Sequence, residues 1–296
     1  LPRQTDPKQT YCGSIPATFS INTIRCFDDN NCYVLRDSTN HITIVDPAEP
    51  ESVIAGLLEL GIDLKHDKQL LHKTQILVTH RHWDHAGGND YFHNVMKVPV
   101  IVGGKHDQIP HASKLVDHFE EFKHGEFTFR AFHTPCHTKG HICYLFWNNT
   151  VGAGQDVRDD DDDNDDELGK EPAQTLEYGL FTGDTLFSSG CGKFFEGTAE
   201  EMYPNMLLFN ALAKDPKLIT SIESVRNSRD LPVSPSTTTF VYDGHEYTKS
   251  NLHFANKLDP NNAQIQQQIQ WVATHPGKPS HPTTIALEQQ VNIFLR

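Results

Sequence analysis

The chain has 296 residues, enough for one large domain or for a medium domain with a smaller one. No apolar run approaches the length of about 18 residues that a membrane-spanning helix requires, so we expect no membrane partner. The net charge of −14 disfavours nucleic acid as a partner. The six cysteines form no C-x-x-C pair and are sparse for this length, which favours reduced thiols over a disulfide framework.

Much of the negative charge is local, because residues 156–167 carry a net charge of −8. The D-x-D-x-D-G spacing of a calcium loop is absent there, so we predict a disordered surface insertion at about residues 154–174. Residues 1–18 are polar, contain three prolines and are predicted to form a flexible tail. The first residue is not Met and no secretory signal is visible, so we expect a fragment or a processed form.

Short apolar segments separated by turn residues predict many strands, which fall into two groups. In chain order the predicted strands are 19–26, 32–35, 42–45, 74–78, 98–102, 127–132, 142–147, 179–182 and 237–242. Helical patterns occur at 51–60, 200–213, 251–257, 263–274 and 284–291, and Pro204 is expected to break or kink the second of these. This order indicates an α+β fold with two sheets and outer helices over residues 19–247, followed by a helical C-terminal subdomain over residues 248–296.

The densest chemistry follows the predicted strand at residues 74–78. Four residues of metal-binding type lie within six positions, at H-x-H-x-D-H spacing: His80, His82, Asp84 and His85. Two histidines that are two positions apart in an extended segment can point the same way. Chance clustering is the alternative in a chain with 18 histidines, but four such residues directly behind a strand favour a metal site.

Three further residues of metal-binding type follow the ends of other predicted strands: His137, Asp184 and His245. Taken singly, each is explained equally well by a loop histidine or a turn aspartate. Taken together with the H-x-H-x-D-H segment, they supply seven ligands, about the number that a two-metal hydrolytic site needs.

The H-x-H-x-D-H segment resembles the signature of the metallo-β-lactamase superfamily, and the A-G-G-N that follows narrows the resemblance to the hydroxyacylglutathione hydrolases (glyoxalase II). Four further segments resemble motifs of that family in the family's order. They are T-P-C-H-T-K-G-H-I-C-Y (134–144), F-T-G-D-T-L-F (181–187), C-G-K-F-F-E-G-T (191–198) and G-H-E-Y-T (244–248). The resemblance implies a four-layer αββα sandwich with a small helical C-terminal subdomain.

The resemblance also implies a ligand set for two divalent metal ions. His80, His82 and His137 would hold one ion, Asp84, His85 and His245 the other, and Asp184 would bridge them. Zn²⁺ is the first expectation, and the same ligand types also accept Fe or Mn. Asp84 and Asp184 are the expected catalytic residues.

The implied reaction is hydrolysis of the thioester of S-(2-hydroxyacyl)glutathione, converting S-D-lactoylglutathione to glutathione and D-lactate in methylglyoxal detoxification. A metal-bound hydroxide would attack the carbonyl carbon, since metal binding lowers the pKa of water to about 7. The leaving thiolate has an ordinary pKa near about 8.5, so neither a Ser nor a Cys nucleophile is required.

Three residues are expected to contact the small-molecule substrate: Lys193, Phe195 and Tyr247. Lys193 would pair with a glutathione carboxylate and Tyr247 would donate a hydrogen bond. Phe195 stands where several family members carry Tyr, so one polar contact is lost. The family usually continues beyond the segment that resembles residues 292–296, with a helix that carries an Arg and a Lys. We therefore expect a truncated C-terminal subdomain with weaker glutathione affinity.

Two other functions are consistent with parts of the sequence. A persulfide dioxygenase with mononuclear iron belongs to the same superfamily but usually lacks the full second set of ligands. A non-enzymatic scaffold protein would use the acidic insertion to recruit a basic partner. A monomer in the cytoplasm is expected, with the mitochondrion as the alternative location.

Overall fold

The computed structural model describes residues 19–150, 176–228 and 237–296. The predicted tail at residues 1–18 and the predicted acidic insertion at about residues 154–174 lie outside the described residues. Within the described ranges, two six-stranded sheets and a two-stranded sheet account for the strands.

The first sheet holds its six strands in chain order, and its two halves differ in direction. The strands are β1 (Phe19–Cys26), β2 (Asn30–Asp37), β3 (Ile42–Val45), β4 (Thr74–Leu77), β5 (Val100–Gly104) and β6 (Lys114–Val116). β1 to β3 form an antiparallel meander, whereas β3 to β6 run parallel. Parallel neighbours need a crossover, which is provided between β3 and β4 by α1 (Pro50–Glu59) and α2 (Lys68–His72).

The second sheet is mostly antiparallel, in the order β14-β13-β10-β9-β8-β7. Its strands are β7 (Glu121–His124), β8 (Phe127–His133), β9 (Ile142–Asn148), β10 (Leu176–Gly183), β13 (Thr237–Asp243) and β14 (Thr283–Thr284). β10 and β13 run parallel to each other. β11 (Leu186–Phe187) and β12 (Gly190–Cys191) form the separate two-stranded sheet.

Helices cover the outer faces of both sheets. The remaining ones are α3 (Trp83–Ala86), α4 (Asn89–Tyr91), a π-helix (Phe92–Met96), α5 (Ala199–Leu212), a 3-10 helix (Pro216–Leu218), α6 (Ile222–Asn227), α7 (Thr248–Leu258), α8 (Ala263–Thr274) and α9 (Ile285–Val291). None of the helices in the described part of the chain combines the length and apolar character needed to span a membrane.

Three apolar clusters define the layers. The cluster between the sheets is largely aromatic, with Tyr33 from the first sheet packed against Phe181 of the second at 5.4 Å between ring centroids. A second cluster joins the outer face of the first sheet to α1. It includes Val34 of β2 and Val53 of α1. A third joins the second sheet to α5 through Phe209. The order helix, sheet, sheet, helix confirms the predicted αββα sandwich.

Each predicted strand and helix overlaps an observed element. The predicted helix at residues 51–60 ends where expected, because Gly61 adopts a φ of +71° that favours glycine. The expected break at Pro204 is not observed, since α5 continues through it. The sequence patterns missed β6, β7, β11, β12, β14, α2 and α6, which contain two to six residues each, too few to show a hydrophobic period.

The C-terminal residues form helices but also extend the second sheet. α7, α8 and α9 share a small core that includes Leu252, Ile265 and Val291. β14 pairs antiparallel with β13, and Ile285 of α9 joins the cluster of the second sheet. The predicted division at residue 248 therefore stays a prediction, with a strand and a helix of its second part packed on the first.

Strand direction brings several strand ends to one edge of the sandwich. In the first sheet β3 and β4 run parallel, so residues 46 and 78–80 leave the sheet at the same edge. In the second sheet β8, β10 and β13 share one direction, because β9 runs antiparallel to both β8 and β10. The residues that follow these five strands meet where the two sheets adjoin.

Candidate metal centre

The H-x-H-x-D-H segment lies directly after β4 and turns into α3. Val78 still bonds to the neighbouring strand, donating from its N–H to Val102 O at 2.9 Å. His80 is buried, and His82 occupies the N-cap position of α3. Asp84 and His85 lie within α3, the short helix that begins directly after His82.

The other three residues lie in loops of the second sheet. His137 lies in a tight loop after β8, closed by a hydrogen bond from Thr134 N to His141 O at 2.8 Å. Asp184 follows β10, and His245 follows β13. All three are buried, with exposed fractions of 3% to 6%. The tertiary fold therefore brings together all seven sequence-predicted ligands.

Among the residues that the structure describes, these side chains form three groups of potential metal ligands. Within each group, one ligand atom per residue lies within 4.8 Å of every other. The groups are His80 with His82 and His137, His80 with His85 and Asp184, and Asp84 with His85 and His245. Below, the first is called the three-histidine group and the last the Asp84 group.

The distances indicate two neighbouring ligand pockets with Asp184 between them. His82 Nδ1 lies 3.0 Å from both His80 Nε2 and His137 Nε2. In the Asp84 group, His85 Nε2 lies 3.2 Å from His245 Nε2. Asp184 faces both groups: its Oδ2 is 3.4 Å from His137 Nε2 and 3.4 Å from His245 Nε2.

The donor set fits divalent metal ions. Asp184 Oδ1 is buried and accepts no hydrogen bond from the described residues, although His85 Nε2 lies 3.2 Å away. Buried polar atoms are normally satisfied, so this oxygen suits a cation. The glycine at position 244 leaves room beside this oxygen, because a Cβ there would lie 2.5 Å from Asp184 Oδ1. Two imidazole nitrogens bound to one tetrahedral zinc ion lie about 3.3 Å apart, since each Zn–N bond is about 2.0–2.1 Å long.

The site is also rich in negative charge. Burial alone would raise the pKa of Asp184, but His85 and His245 beside it hold that pKa well below its ordinary value. Burial opposes a charge on His85, yet the Asp184 and Asp46 carboxylates raise its pKa well above the usual range. Burial lowers the pKa of His80, so its imidazole is neutral and has a free lone pair. Carboxylates that stabilise an imidazolium here would equally stabilise a metal cation.

A second layer of partners orients the rings, and the sequence patterns did not identify it. His85 Nδ1 lies 2.9 Å from Asp46 Oδ2, and His245 Nδ1 lies 2.9 Å from Asp29 Oδ1. His137 Nδ1 instead faces the Lys193 carbonyl oxygen at 2.9 Å. Their positions in the chain could have identified the two carboxylates. Asp46 directly follows β3, as the ligands follow their strands, and Asp29 lies in the turn before β2.

Asp107 links the loop of His80 and His82 to the loop of His137. Its Oδ2 accepts hydrogen bonds from Arg81 N at 2.9 Å and from Thr138 Oγ1 at 3.0 Å. Arg81 stands between His80 and His82, and Thr138 follows His137 in the chain. One buried carboxylate therefore fixes the backbone beside all three members of the three-histidine group.

The three predicted substrate residues lie at the rim of the ligand cluster. Phe195 is 58% exposed, and the centroid of its ring lies 5.2 Å from that of His137. Lys193 Nζ lies 4.8 Å from the centroid of the same ring. On the other flank, Tyr247 stacks on His245 at 4.8 Å. Their roles stay predictions.

Three of the described cysteines are not activated nucleophiles, and Cys26, whose pKa is lowered by its hydrogen bond with Cys32, is fully buried. Burial raises the pKa of Cys136 to about 11 and that of Cys143 to about 12. Cys191 has a pKa raised to about 12, again because of burial. Thiols of this kind are protonated at neutral pH and are therefore weak nucleophiles.

Comparison with known proteins agrees with this geometry. Residues 27–171 match the model of the metallo-beta-lactamase superfamily, and residues 246–296 match that of the hydroxyacylglutathione hydrolase C-terminus. The chain is 36% identical over 277 residues to "Hydroxyacylglutathione hydrolase cytoplasmic" of Arabidopsis thaliana, covering 92% of this chain and 86% of the relative. It is 33% identical to the hydroxyacylglutathione hydrolase of Pelagibacter ubique over 280 residues, covering 93% and 92%. The chain belongs to the hydroxyacylglutathione hydrolase family.

Solved structures of low sequence identity show the same fold. A metallo-beta-lactamase from Staphylococcus aureus aligns with a TM-score of 0.55 at 18% identity, covering 95% of this chain and 63% of that chain. ETHE1 from Myxococcus xanthus aligns with a TM-score of 0.52 at 19% identity, covering 92% and 83%. The chain thus spans less than two thirds of the first of these proteins and most of the second.

Family membership confirms the resemblance that the motifs indicated. It makes the chain an enzyme, so the scaffold alternative is set aside. The superfamily match and the histidine–aspartate clusters together support divalent metal binding. The number and identity of the metal ions, and the role of each residue, stay predictions.

Proposed function

We propose that the chain hydrolyses the thioester of S-(2-hydroxyacyl)glutathione, converting S-D-lactoylglutathione to glutathione and D-lactate and so serving methylglyoxal detoxification. The observation that carries this proposal is the convergence of all seven predicted ligands at one edge of the sandwich, in a chain of the hydroxyacylglutathione hydrolase family. An intact ligand cluster suits a hydrolase better than it suits a protein without catalytic activity.

Two divalent metal ions fit the arrangement of ligands. The three-histidine group would hold one ion and the Asp84 group the other, with Asp184 shared between them. Supporting this, Asp184 Oδ1 accepts no hydrogen bond from the part of the chain that the structure describes, and its Oδ2 lies between His137 and His245. Zn²⁺ is the first candidate because the ligands are imidazoles and carboxylates, and Fe or Mn would also bind.

When bound, such ions lower the pKa of a water molecule to about 7 and polarise a carbonyl oxygen. The chain's own residues supply position and proton transfer. Asp84 has a side chain that is 24% exposed, so its carboxylate faces the solvent side and can accept the proton of the attacking water. The buried Asp184 stays ionised and holds the two ligand groups at a fixed distance.

The leaving group needs no acid from the protein, since a thiolate is stable near neutral pH. Consistent with this, the cysteine thiols Cys136 and Cys143 are buried and protonated rather than poised for covalent catalysis. The water attack and the thiolate departure therefore depend on the ligand cluster alone, not on a covalent intermediate with the protein.

Substrate binding would use the rim of the cluster. Lys193 is exposed beside Phe195 and would pair with a glutathione carboxylate, while Phe195 would contact the apolar part of the substrate. Tyr247 keeps its hydroxyl proton, because burial and the nearby Asp29 raise its pKa to about 12. It would therefore donate a hydrogen bond to the glutathione moiety at any physiological pH.

The test pairs metal analysis with turnover of S-D-lactoylglutathione. We expect about two metal ions per chain and turnover that falls by roughly 100-fold or more in Asp84→Ala. The matched control is Asp90→Ala, which removes a carboxylate of the neighbouring α4 whose side chain is 76% exposed. Wild-type turnover that survives Asp84→Ala would contradict the proposal. One iron per chain with turnover of a persulfide instead would establish the persulfide dioxygenase.

We propose that the protein is a monomer and that it lies in the cytoplasm, the location that the name of the Arabidopsis relative states for that protein. The mitochondrion is the alternative location. Light scattering of the purified protein and imaging of a tagged full-length chain test the two statements separately.

A further inference from the structure

The β1–β2 turn, defined here as residues 27–31 and including the first two residues of β2, reaches across the molecule to one half of the ligand cluster. In the sequence this acidic and amide-rich stretch predicts only a turn. In the structure it contacts residues more than 50 and more than 200 positions away. A turn that only reverses the chain needs no contacts this distant in sequence.

Asp29 orients the ring of His245. Its Oδ1 lies 2.9 Å from His245 Nδ1, on the side of the ring that points away from the other ligands. A histidine that binds metal through Nε2 must carry its proton on Nδ1, and an acceptor there fixes both the tautomer and the ring plane. The opposite atom, Nε2, is the one that faces His85 and Asp184.

Backbone hydrogen bonds fix Asp29 relative to the loop of His245. Glu246 N donates to Asp29 O at 2.9 Å, and Asn31 N donates to Gly244 O at 2.9 Å. Asn30 and His245 form an isolated antiparallel bridge between these two bonds. The turn and the loop thus behave as one small two-stranded unit, which carries Asp29 into place beside the ring.

Asn30 holds a second member of the same group. Its side chain is buried, and its Nδ2 donates to Asp84 O at 2.9 Å and to Asp84 Oδ2 at 3.3 Å. The first bond fixes the start of α3, and the second fixes the rotation of the carboxylate. Adjacent residues of one turn therefore position both Asp84 and His245.

The three-histidine group has a different support. His137 Nδ1 faces the Lys193 carbonyl oxygen, and His80 Nδ1 lies 3.1 Å from Thr79 Oγ1. Both partners are neutral, whereas Asp29 is a carboxylate. A carboxylate acceptor raises the basicity of the ring more than a carbonyl or hydroxyl does.

We propose that Asp29 and Asn30 are positioning residues that hold the Asp84 group in the shape its metal ion requires, while the three-histidine group binds its ion independently of them. The inference rests on the proposed two-ion function. The β1–β2 turn then affects metal binding without touching the substrate or the reacting atoms. The Asp84 group and the three-histidine group would each retain its ion through its own set of supporting residues.

The test measures metal affinity rather than turnover. Metal-free protein is refilled with Zn²⁺ in the presence of a competing chelator, and both dissociation constants are determined for wild type, Asp29→Ala, Asp29→Asn and Asn30→Ala. We expect Asp29→Ala to weaken one of the two constants by roughly 10- to 100-fold, the usual effect of removing a carboxylate behind a ligating histidine. The other constant should change by less than about threefold.

The conservative variant and a matched control separate positioning from general damage. Asp29→Asn retains an acceptor for His245 Nδ1 but no charge, so it should weaken the same constant less than Asp29→Ala does. Asp63→Ala removes another carboxylate that pairs with a histidine, since Asp63 Oδ2 lies 2.8 Å from His66 Nδ1 at the surface. It should leave both constants unchanged, and the metal-free unfolding temperatures of wild type and of the two Asp29 variants should agree, since the Asp29 side chain is 40% exposed.

Double variants identify the ion that is lost. If Asp29 acts through His245, combining Asp29→Ala with His245→Ala should weaken binding no more than His245→Ala alone. Combining it with His82→Ala should instead reduce binding at both positions. Equal weakening of both constants by Asp29→Ala, or none, would overturn this inference. Uptake of a single Zn²⁺ by wild type would overturn the two-ion function itself.

Discussion

At the scale of single residues, the fully buried His141 shows how a histidine can serve the centre without being a ligand. Its Nε2 accepts a hydrogen bond from Asp184 N at 3.1 Å, so the proton of the neutral ring lies on Nδ1. That atom lies 3.0 Å from the hydroxyl oxygens of both Thr134 and Thr185. Burial lowers the pKa of His141 well below its ordinary value, which keeps the ring neutral. His141 therefore fixes the backbone of Asp184.

Removing the His141 ring should destabilise the fold. In His141→Ala the buried N–H of Asp184 loses its acceptor and a cavity remains, so we expect the free energy of unfolding to fall by about 2–4 kcal/mol. Urea unfolding of the metal-free protein measures this change. His141→Gln, whose side-chain oxygen can accept the same bond, should recover part of the loss, and an equal loss in both variants would contradict the role of that bond.

At the scale of elements, two of the three C-terminal helices, α8 and α9, begin with a side-chain cap. α8 is capped by Asn262, whose Oδ1 accepts hydrogen bonds from Gln264 N at 2.9 Å and from Ile265 N at 3.2 Å. The same side chain donates from Nδ2 to Gln290 O at 3.0 Å, near the end of α9. One asparagine therefore caps one helix and ties it to another, which links local helix formation to packing.

The cap of α8 can be tested by two substitutions of Asn262. Asn262→Ala removes the cap and the tie to α9, and should lower the free energy of unfolding by about 1–2 kcal/mol. Asn262→Asp keeps the cap acceptor and should lose less than about 1 kcal/mol. Thermal unfolding provides the comparison, and metal content should be the same in all three proteins. A larger loss in the aspartate variant would show that the tie to Gln290 dominates.

At the scale of the whole molecule, a buried carboxyl group joins the C-terminal region to the sandwich. Glu288 of α9 accepts hydrogen bonds from Ser189 N at 2.7 Å, Thr283 Oγ1 at 2.9 Å and Asn292 Nδ2 at 3.0 Å. Burial, together with the charge of Asp243, raises the pKa of Glu288 to about 7. The attachment of this region therefore depends on pH.

The sign of that dependence follows from proton binding. The unfolded chain titrates Glu288 near its ordinary pKa of 4.5 and the folded chain near about 7, so unfolding releases a proton between these values. The stabilisation is full below about pH 4.5 and is lost as the pH rises through about 7, a change of about 3 kcal/mol.

Glu288→Gln should remove this contribution. Urea unfolding from about pH 5 to about pH 8 should show a flatter pH dependence than wild type. Asp243, whose burial raises its pKa to about 7, would retain its own contribution in both proteins. The exposed Glu223→Gln serves as control and should keep the wild-type slope. An unchanged slope in Glu288→Gln would contradict the pKa assigned to Glu288.

The sequence by itself determined the two sets of strands, the longer helices and the seven ligand-type residues. Segments such as residues 19–26 and 142–147 are long enough to show their own pattern, and the H-x-H-x-D-H segment is local in the chain. The motifs around Asp184 and His245 also identified the family, since they are short and continuous. These features can be predicted from the sequence because each depends on residues within about ten positions of one another.

Only the tertiary structure decided which side chains support the ligands. Asp29, Asn30 and Asp46 act on rings or carboxylates that are between 39 and 216 positions away in the chain. Short strands such as β14 form because β13 offers a free edge, not because their two residues favour extended backbone. Pairing, burial and hydrogen-bond geometry are properties of the assembled sheets, so the centre takes its shape only when both sheets are packed together.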